Sequence, residues 1–210
     1  MRLSYKIETL IEDVRICLDM NRRDDSLLED EDIDTLELDE LIESKLCEAA
    51  DIVRLTAPLD RVEPNSFRFL GRELGEEEID EAGRGILELP DDFLRLIVFQ
   101  LDSWRRPVYE FVGVEDPRYQ LQWSRWSGVR GTNEKPVVAV TSGSHGGTQL
   151  SVEFFCGKAG DKVIRGSYLK RAAITEDSLG RYLSLDERCY KDVVNKAAEL
   201  VTMSLGLKHI

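Results

Sequence analysis

The two histidines are the first residues to test for catalytic chemistry, because histidine is the commonest general base near neutral pH. His145 lies in the glycine-rich run 142–148, and His209 is the last residue but one. A nucleophile and its base need a third group that orients the base. A flexible glycine-rich hairpin tip does not orient one, so neither histidine predicts a catalytic centre and we expect no enzyme activity.

Phosphate and metal chemistry also lack a complete motif. The glycines of 143–147 are not followed by the Lys-Ser/Thr pair of a phosphate-binding loop, and no helix follows them. Asp30, Asp32 and Asp34 have the spacing of a calcium loop, but Thr35 stands where the sharp turn needs a glycine. The sequence therefore predicts no metal and no cofactor.

Negative charge is concentrated in residues 24–43. This stretch holds eleven acidic residues and no lysine or arginine, in a chain whose net charge is −13. Its central residues Asp30, Asp32 and Asp34 are candidates for an acidic face towards solvent or towards a channel. A carboxylate-rich surface repels phosphate, so we expect neither specific nucleic-acid binding nor binding to anionic membranes.

Arginine and tryptophan are concentrated in residues 95–135. All three tryptophans and seven basic residues fall there, against five acidic residues. Such a stretch is typical of single-strand binding by stacking, of a protein interface, or of an aromatic core with solvated arginines. A local net charge of +2 is a weak field for a polyphosphate, which favours the interface. The candidate interface residues are Arg105, Arg106, Tyr119, Trp123, Arg125 and Trp126.

The cysteines and the hydropathy pattern indicate the cellular compartment of the protein. Four cysteines (Cys17, Cys47, Cys156 and Cys189) lie far apart, and no pair has the spacing of zinc ligands. We expect them to be reduced, buried thiols. No apolar signal region and no apolar run of transmembrane length occurs. The sequence therefore predicts a soluble protein made in a reducing cytoplasm.

Three amphipathic helices are predicted at the two ends of the chain. Apolar residues recur at helical spacing near 4–20, 36–56 and 185–205. Each helix has one apolar stripe that must be buried against another element. We therefore expect these helices to pack together as one bundle.

Local capping signals set the expected ends of these helices. Ser4 and Asp34 are the expected N-caps of the first two helices. Ser184 with Glu187 has the form of a capping box at the start of the third. Gly206 is expected to close that helix in the left-handed conformation.

The residue pattern in the middle of the chain predicts short strands separated by turns. The longest apolar run, 93–104, fills both faces and predicts a buried strand from about Leu94. Further strands are expected within 136–141 and 149–156, while the acidic, glycine-rich residues 71–85 predict a flexible loop or irregular hairpin.

These elements together predict an α+β fold with two domains. Residues 1–58 and 181–210 are expected to form the helical bundle. Residues 59–180 are expected to form a β-rich insertion, built as a sandwich or a barrel. The order of elements is helices, then strands, then a closing helix.

This layout resembles the head-to-tail adaptor, or connector ring, proteins of tailed bacteriophages. The local motifs that carry the resemblance are LPDDFLRL at 89–96, where the insertion is entered, and DERCYKDVVNKAAEL at 186–200 in the closing helix. The resemblance extends over nearly the whole chain, and it suggests a phage of Bacteroidetes, such as a crAss-like phage, as the source.

The resemblance implies a structural virion protein and not an enzyme. Such adaptors form a ring, commonly of twelve copies, between the portal protein and the tail proteins, and DNA passes through the ring. The implied location is the neck of the virion, after synthesis in the host cytoplasm. The alternative is a soluble nucleic-acid-binding or regulatory module that uses residues 95–135.

Overall fold

The computed structural model describes residues 1–20, 35–142 and 149–206 and has an α+β fold. The chain divides into two compact units. The terminal unit combines Met1–Glu63 with Arg171–Ile210, and the insertion unit is Pro64–Lys170. In chain order the elements are β1 (Arg2–Lys6), α1 (Ile7–Met20), α2 (Thr35–Thr56), β2 (Asn65–Ser66), β3 (Gly85–Glu88), β4 (Phe93–Leu101), α3 (Pro117–Gln120), β5 (Val138–Ser142), β6 (Leu150–Phe154), β7 (Val163–Lys170), β8 (Ile174–Asp177), β9 (Gly180–Asp186) and α4 (Tyr190–Ser204).

Three helices of the terminal unit contact one another. The helix α4 contacts both α1 and α2, and α1 also contacts α2. The buried face of α4 is centred on Ala197 and Ala198, small side chains that permit a close approach between helices. Leu200, which the helical spacing within 185–205 places on the apolar stripe, is only half-buried and is not a core residue.

A three-stranded antiparallel sheet, β1-β9-β8, belongs to the same unit. Its strand pairing shows that two of the expected N-caps are wrong. Ser4 pairs with Ser184 in the β1–β9 ladder, and their hydroxyl oxygens lie 3.2 Å apart. Both residues are therefore strand residues and not N-caps; α1 begins at Ile7, and α4 begins at Tyr190 after the 3₁₀ turn Glu187–Cys189. A pairing between residues 180 positions apart has overridden two local capping signals.

The other expected helix ends have mixed outcomes. The second helix ends at Thr56, shortly before Pro58, as predicted. Gly206 has a φ of +70°, which confirms the left-handed residue after α4. Asp34, the expected N-cap of the second helix, lies outside the described residues.

Two antiparallel sheets, β2-β7-β4 and β3-β6-β5, form the insertion unit. Phe99 of β4 and Phe154 of β6 are fully buried in one common core, with ring centroids 5.4 Å apart. Residues 108–112 are hydrogen-bonded to both sheets. Phe99 N of β4 donates to Val108 O, and Val112 N donates to Val138 O of β5. The buried strand expected within 93–104 is confirmed as β4.

The glycine-rich residues 71–85 are more strongly anchored than a flexible loop. Leu74 and Ile79 are buried in the common core, and Ile86 N donates to Glu78 O. A Cβ on Gly85 would lie 2.0 Å from the Phe154 ring. Only glycine fits at that point of β3, so this residue serves core packing rather than flexibility.

A buried ion pair lies inside the terminal unit. The Arg54 and Asp186 side chains are 5% and 2% exposed, with Arg54 Nε 3.8 Å from Asp186 Oδ2. Arg54 Nη2 donates to Ser184 O at 2.6 Å, and Glu63 N donates to Asp186 Oδ1 at 3.0 Å. Burial lowers the pKa of Arg54, while Asp186 acts in the opposite direction. Asp186 thus compensates a charge that has left water.

Asp186→Ala is expected to lower the free energy of unfolding by about 3–5 kcal/mol, because the buried Arg54 guanidinium then loses the opposite charge of Asp186. Urea denaturation followed by far-UV circular dichroism measures the loss. The control is Asp192→Ala, whose partner Arg61 lies 3.5 Å away in a pair that is about half exposed on both sides. That change should cost less than about 1 kcal/mol, and equal losses in the two variants would contradict the interpretation.

Candidate protein-interaction surface

The face of the sheet β3-β6-β5 that points away from the common core carries the candidate surface. Side chains alternate along β6, so Val152 and Phe154 enter the core and Glu153 between them faces the other way. Glu153 stands opposite Ile86 of β3 and Ala139 of β5. Residues 117–130, here named the aromatic segment, begin with α3 and lie on this face.

The Glu153 carboxylate fixes the aromatic segment to the sheet. This side chain is 2% exposed. Arg84 Nε donates a hydrogen bond to Glu153 Oε1, and the Tyr119 hydroxyl donates to Oε2 at 2.9 Å. A buried carboxylate is costly unless charged or hydrogen-bonding partners replace its water. Glu153 therefore holds the first turn of the aromatic segment beside β6.

Aromatic contacts extend the anchor. The rings of Tyr119 and Trp123 meet edge to face with centroids 6.3 Å apart, and Phe155 lies 6.0 Å from each of them. The guanidinium carbon of Arg84 lies 4.7 Å from the centroid of the Trp123 ring, which is cation–π geometry. Arg84 thus serves both the carboxylate and the indole.

Hydrogen bonds within the segment set its backbone. Asp116 caps α3 by accepting from Arg118 N at 2.7 Å, and Pro117 fills the first helical position. The buried Gln122 side chain donates to Arg118 O at 2.7 Å and accepts from Gly131 N at 2.8 Å. The hydrogen bonds from Arg118 hold the pKa of Asp116 below its ordinary range. The segment is consequently pre-organised.

Large apolar side chains of this anchored segment remain in solvent. Trp126 is 72% exposed and Trp123 is 52% exposed, with Leu121 and Val129 also exposed. Arg125 and Arg130 are exposed beside them, and no carboxylate of the described residues forms an ion pair with either. Exposed tryptophan with flanking arginine is the composition enriched in protein-interface hot spots.

The six predicted interface residues occupy different environments. Tyr119 is half-buried and anchors the segment from below. The exposed members are Arg105, Arg106, Trp123, Arg125 and Trp126. Arg105 lies 2.6 Å from Glu134 in an exposed ion pair. The third tryptophan of the stretch, Trp104, is 3% exposed and packs on Phe99 and Phe154, so it belongs to the core and not to a surface.

Three anchoring residues lie outside the predicted set. Arg84, Glu153 and Phe155 belong to other parts of the insertion unit, and the Arg84–Glu153 pair spans 69 positions. The signal for Glu153 was the alternation of β6, which places any residue between Val152 and Phe154 on the face away from the core. The signal for Arg84 was absent, since contacts across sheet strands depend on register.

Other predicted chemical groups lie outside this surface. Asp30, Asp32, Asp34, His145 and His209 are outside the described residues. The four cysteines are free, and Cys189 alone among them is fully buried. Across 1–20, 35–142 and 149–206, no three His, Cys, Asp or Glu side chains are grouped to hold a metal ion. Among the described helices, none combines the length and the apolar character that a membrane span requires.

Comparisons with known proteins give no assignment. No protein-family model matches the chain, and no curated protein matches it.

The Tyr119 hydroxyl gives the anchor a pH dependence. Burial, and then the hydrogen bond to Glu153, raise the pKa of Tyr119 above its ordinary value. A raised folded-state pKa contributes stability that is complete below the unfolded pKa of about 10 and is lost as the pH rises above it. Tyr119→Phe should lower the free energy of unfolding by about 1.5–3 kcal/mol at neutral pH.

Urea denaturation at a series of pH values measures this prediction. The difference between wild type and Tyr119→Phe should shrink above about pH 10. Tyr109→Phe is the matched control, because Tyr109 is 61% exposed and should be near neutral at every pH. A constant difference across the series would show that the hydroxyl does not act through the Glu153 hydrogen bond.

Proposed function

We propose that this protein is a structural virion protein, a head-to-tail adaptor that forms a ring between the portal and the tail of a bacteriophage. The observation that carries the proposal is the aromatic segment, which is anchored on a sheet and leaves Trp123 and Trp126 in solvent. Ring assembly requires each copy to contact neighbouring copies and other virion proteins. An exposed, pre-organised aromatic surface suits such contacts.

Pre-organisation is the property that favours a protein partner. Binding is weakened by the entropy lost when side chains and loops become ordered. Here Glu153, Gln122 and Asp116 already hold the segment through hydrogen bonds. Burial of Trp126 against a partner would then gain apolar area at a small ordering cost.

The charge distribution favours protein over nucleic acid as the partner. Arg118 is paired with Asp116 at 2.9 Å and with Glu110 at 3.1 Å, and Arg105 is paired with Glu134. These pairs reduce the positive field that a phosphate backbone would require. The chain as a whole carries −13, a charge that lets DNA pass through a ring without adhering to it.

The terminal unit fits the same proposal as the helical bundle of the adaptor, with the sheet β1-β9-β8 added to it. Its three helices contact one another, and the Arg54–Asp186 pair is buried within it. The acidic residues 24–43 belong to this part of the chain. In the proposed ring, Asp30, Asp32 and Asp34 face the channel or solvent, and the ring is located at the neck of the virion.

Co-sedimentation with the portal protein of the same phage tests the proposal. The wild-type chain should add an integral number of copies to each portal and should show no DNA affinity at physiological salt. Trp126→Ala should reduce this binding about tenfold or more, because a hot-spot tryptophan is lost. Its free energy of unfolding should change by less than about 0.5 kcal/mol, because the side chain is 72% exposed.

Leu179→Ala is the control, since Leu179 is 76% exposed in the terminal unit and is absent from the aromatic segment. It should bind the portal as the wild type does. Tight, salt-sensitive DNA binding without portal binding would reject the adaptor and support the nucleic-acid-binding module.

A further inference from the structure

A second surface of the insertion unit is an open cleft of about 750 Å³. Its wall includes a stack of rings, in which Phe67 lies between Phe69 at 4.7 Å and Tyr168 at 4.8 Å. Ile86 and Pro90 supply aliphatic surface. Phe69, Ile86 and Pro90 are half-buried, so part of this apolar wall is accessible. The volume falls within the range that buries a drug-sized ligand, which is sufficient for an indole and a guanidinium.

Carboxylates dominate the charged rim of the cleft. Glu88 and Asp91 line it, and both are exposed. Glu76 and Glu77 are exposed immediately before Glu78, which also lines the cleft. Among the described residues, no lysine or arginine forms an ion pair with these four exposed carboxylates. They are therefore available to a basic partner.

The basic residues that line the cleft are too few to neutralise its carboxylates, so the net charge of the lining is negative. Arg72 is paired with Glu78, so its charge is compensated within the cleft. Asp92 is paired with Lys170 at 3.0 Å and accepts from the Tyr168 hydroxyl at 3.0 Å. Arg68 is the remaining basic lining residue, and the lining holds two carboxylates, Glu88 and Asp91, that form no ion pair within the described residues. The cleft therefore favours an occupant that is both aromatic and positively charged.

The aromatic segment of this chain has both properties. Residues 117–130 contain three arginines and no acidic residue. Trp126 is exposed between Arg125 and Arg130. None of its residues lines the cleft, and the hydrogen bonds of Tyr119 to Glu153 and of Gln122 to Gly131 hold it within its own unit.

We infer that the cleft receives the exposed part of the aromatic segment, residues 124–130, from a second copy of this chain. The Trp126 indole lies against Phe69, the half-buried ring at the end of the stack, because Phe67 and Tyr168 are buried. Arg125 meets the carboxylates of Glu88 and Asp91. This inference rests on the proposed assembly of copies into a ring, and it names the two surfaces that meet.

The contact joins two different surfaces and is therefore heterologous. Each copy presents one aromatic segment and one cleft, so a pair joined by a single such contact still has a free segment at one end and a free cleft at the other. Further copies add head to tail, and the chain of copies closes into a ring when the rotation per copy permits closure. An isologous contact would stop at a dimer.

Two double variants separate the surfaces. The segment variant is Arg125→Glu with Trp126→Ala, and the cleft variant is Glu88→Lys with Asp91→Lys. Neither changes Tyr119, Gln122 or Glu153, which anchor the segment. The control variant is Glu8→Lys with Glu12→Lys, which makes the same charge change as the cleft variant on exposed positions of α1.

Sedimentation velocity over a concentration series measures self-association. The wild type and the control variant should form complexes larger than a dimer. Each surface variant alone should associate about tenfold more weakly or worse. An equimolar mixture of the two surface variants should form a 1:1 dimer and nothing larger, because the cleft variant keeps its segment and the segment variant keeps its cleft.

The mixture also shows that both variants are folded, since each contributes its unchanged surface to the dimer. A wild-type chain that stays monomeric at every concentration would overturn the inference. So would a surface variant that assembles like the wild type, or a mixture without the dimer.

The same variants, bound to the portal, separate this inference from the adaptor role. Portal-bound rings that form equally well from the cleft variant, which keeps Trp126, would overturn the contact and leave the adaptor proposal intact. Variant-sensitive self-association without portal binding would support the contact and reject the adaptor.

Discussion

The candidate surface depends on the hydrogen bonds that the buried Glu153 carboxylate accepts. Its position follows from strand geometry, because Val152 and Phe154 must enter the core and the residue between them must face away. An ionised group covered by protein needs partners that replace its water. Arg84 and Tyr119 are those partners. Breaking such a pair is costly even where its net contribution to stability is small, so the pair specifies where the aromatic segment lies more than how stable the unit is.

The exposure of Trp126 follows from this anchor. Tyr119 occupies the carboxylate, Trp123 packs against Phe155, and Gln122 closes the backbone onto Gly131. Trp126 lies beyond these contacts and is 72% exposed. A tryptophan held in solvent by its own fold loses little further freedom when a partner buries it, which is the condition for a strong contact from a small area.

Features that depend on nearby residues were predictable from the sequence, whereas features that depend on distant pairing were not. The apolar run of β4 and the left-handed Gly206 carry local signals, and both are confirmed. Ser184 also carries a local signal, that of a capping box, yet it pairs with Ser4 in a strand. The ladder satisfies backbone groups along the whole of β1, which one capping hydrogen bond cannot match.

The candidate surface, likewise, was predictable from the sequence only in part. Composition identified Trp123 and Trp126, because aromatic and arginine residues are concentrated near them. Composition could not separate them from Trp104, whose indole donates to Cys156 O inside the core. What distinguishes the exposed tryptophans is the sheet beneath them, and that sheet is assembled from strands far apart in the sequence. A surface of this kind is therefore specified by register, since a shift of one residue in β6 would turn Glu153 into the core and release the segment.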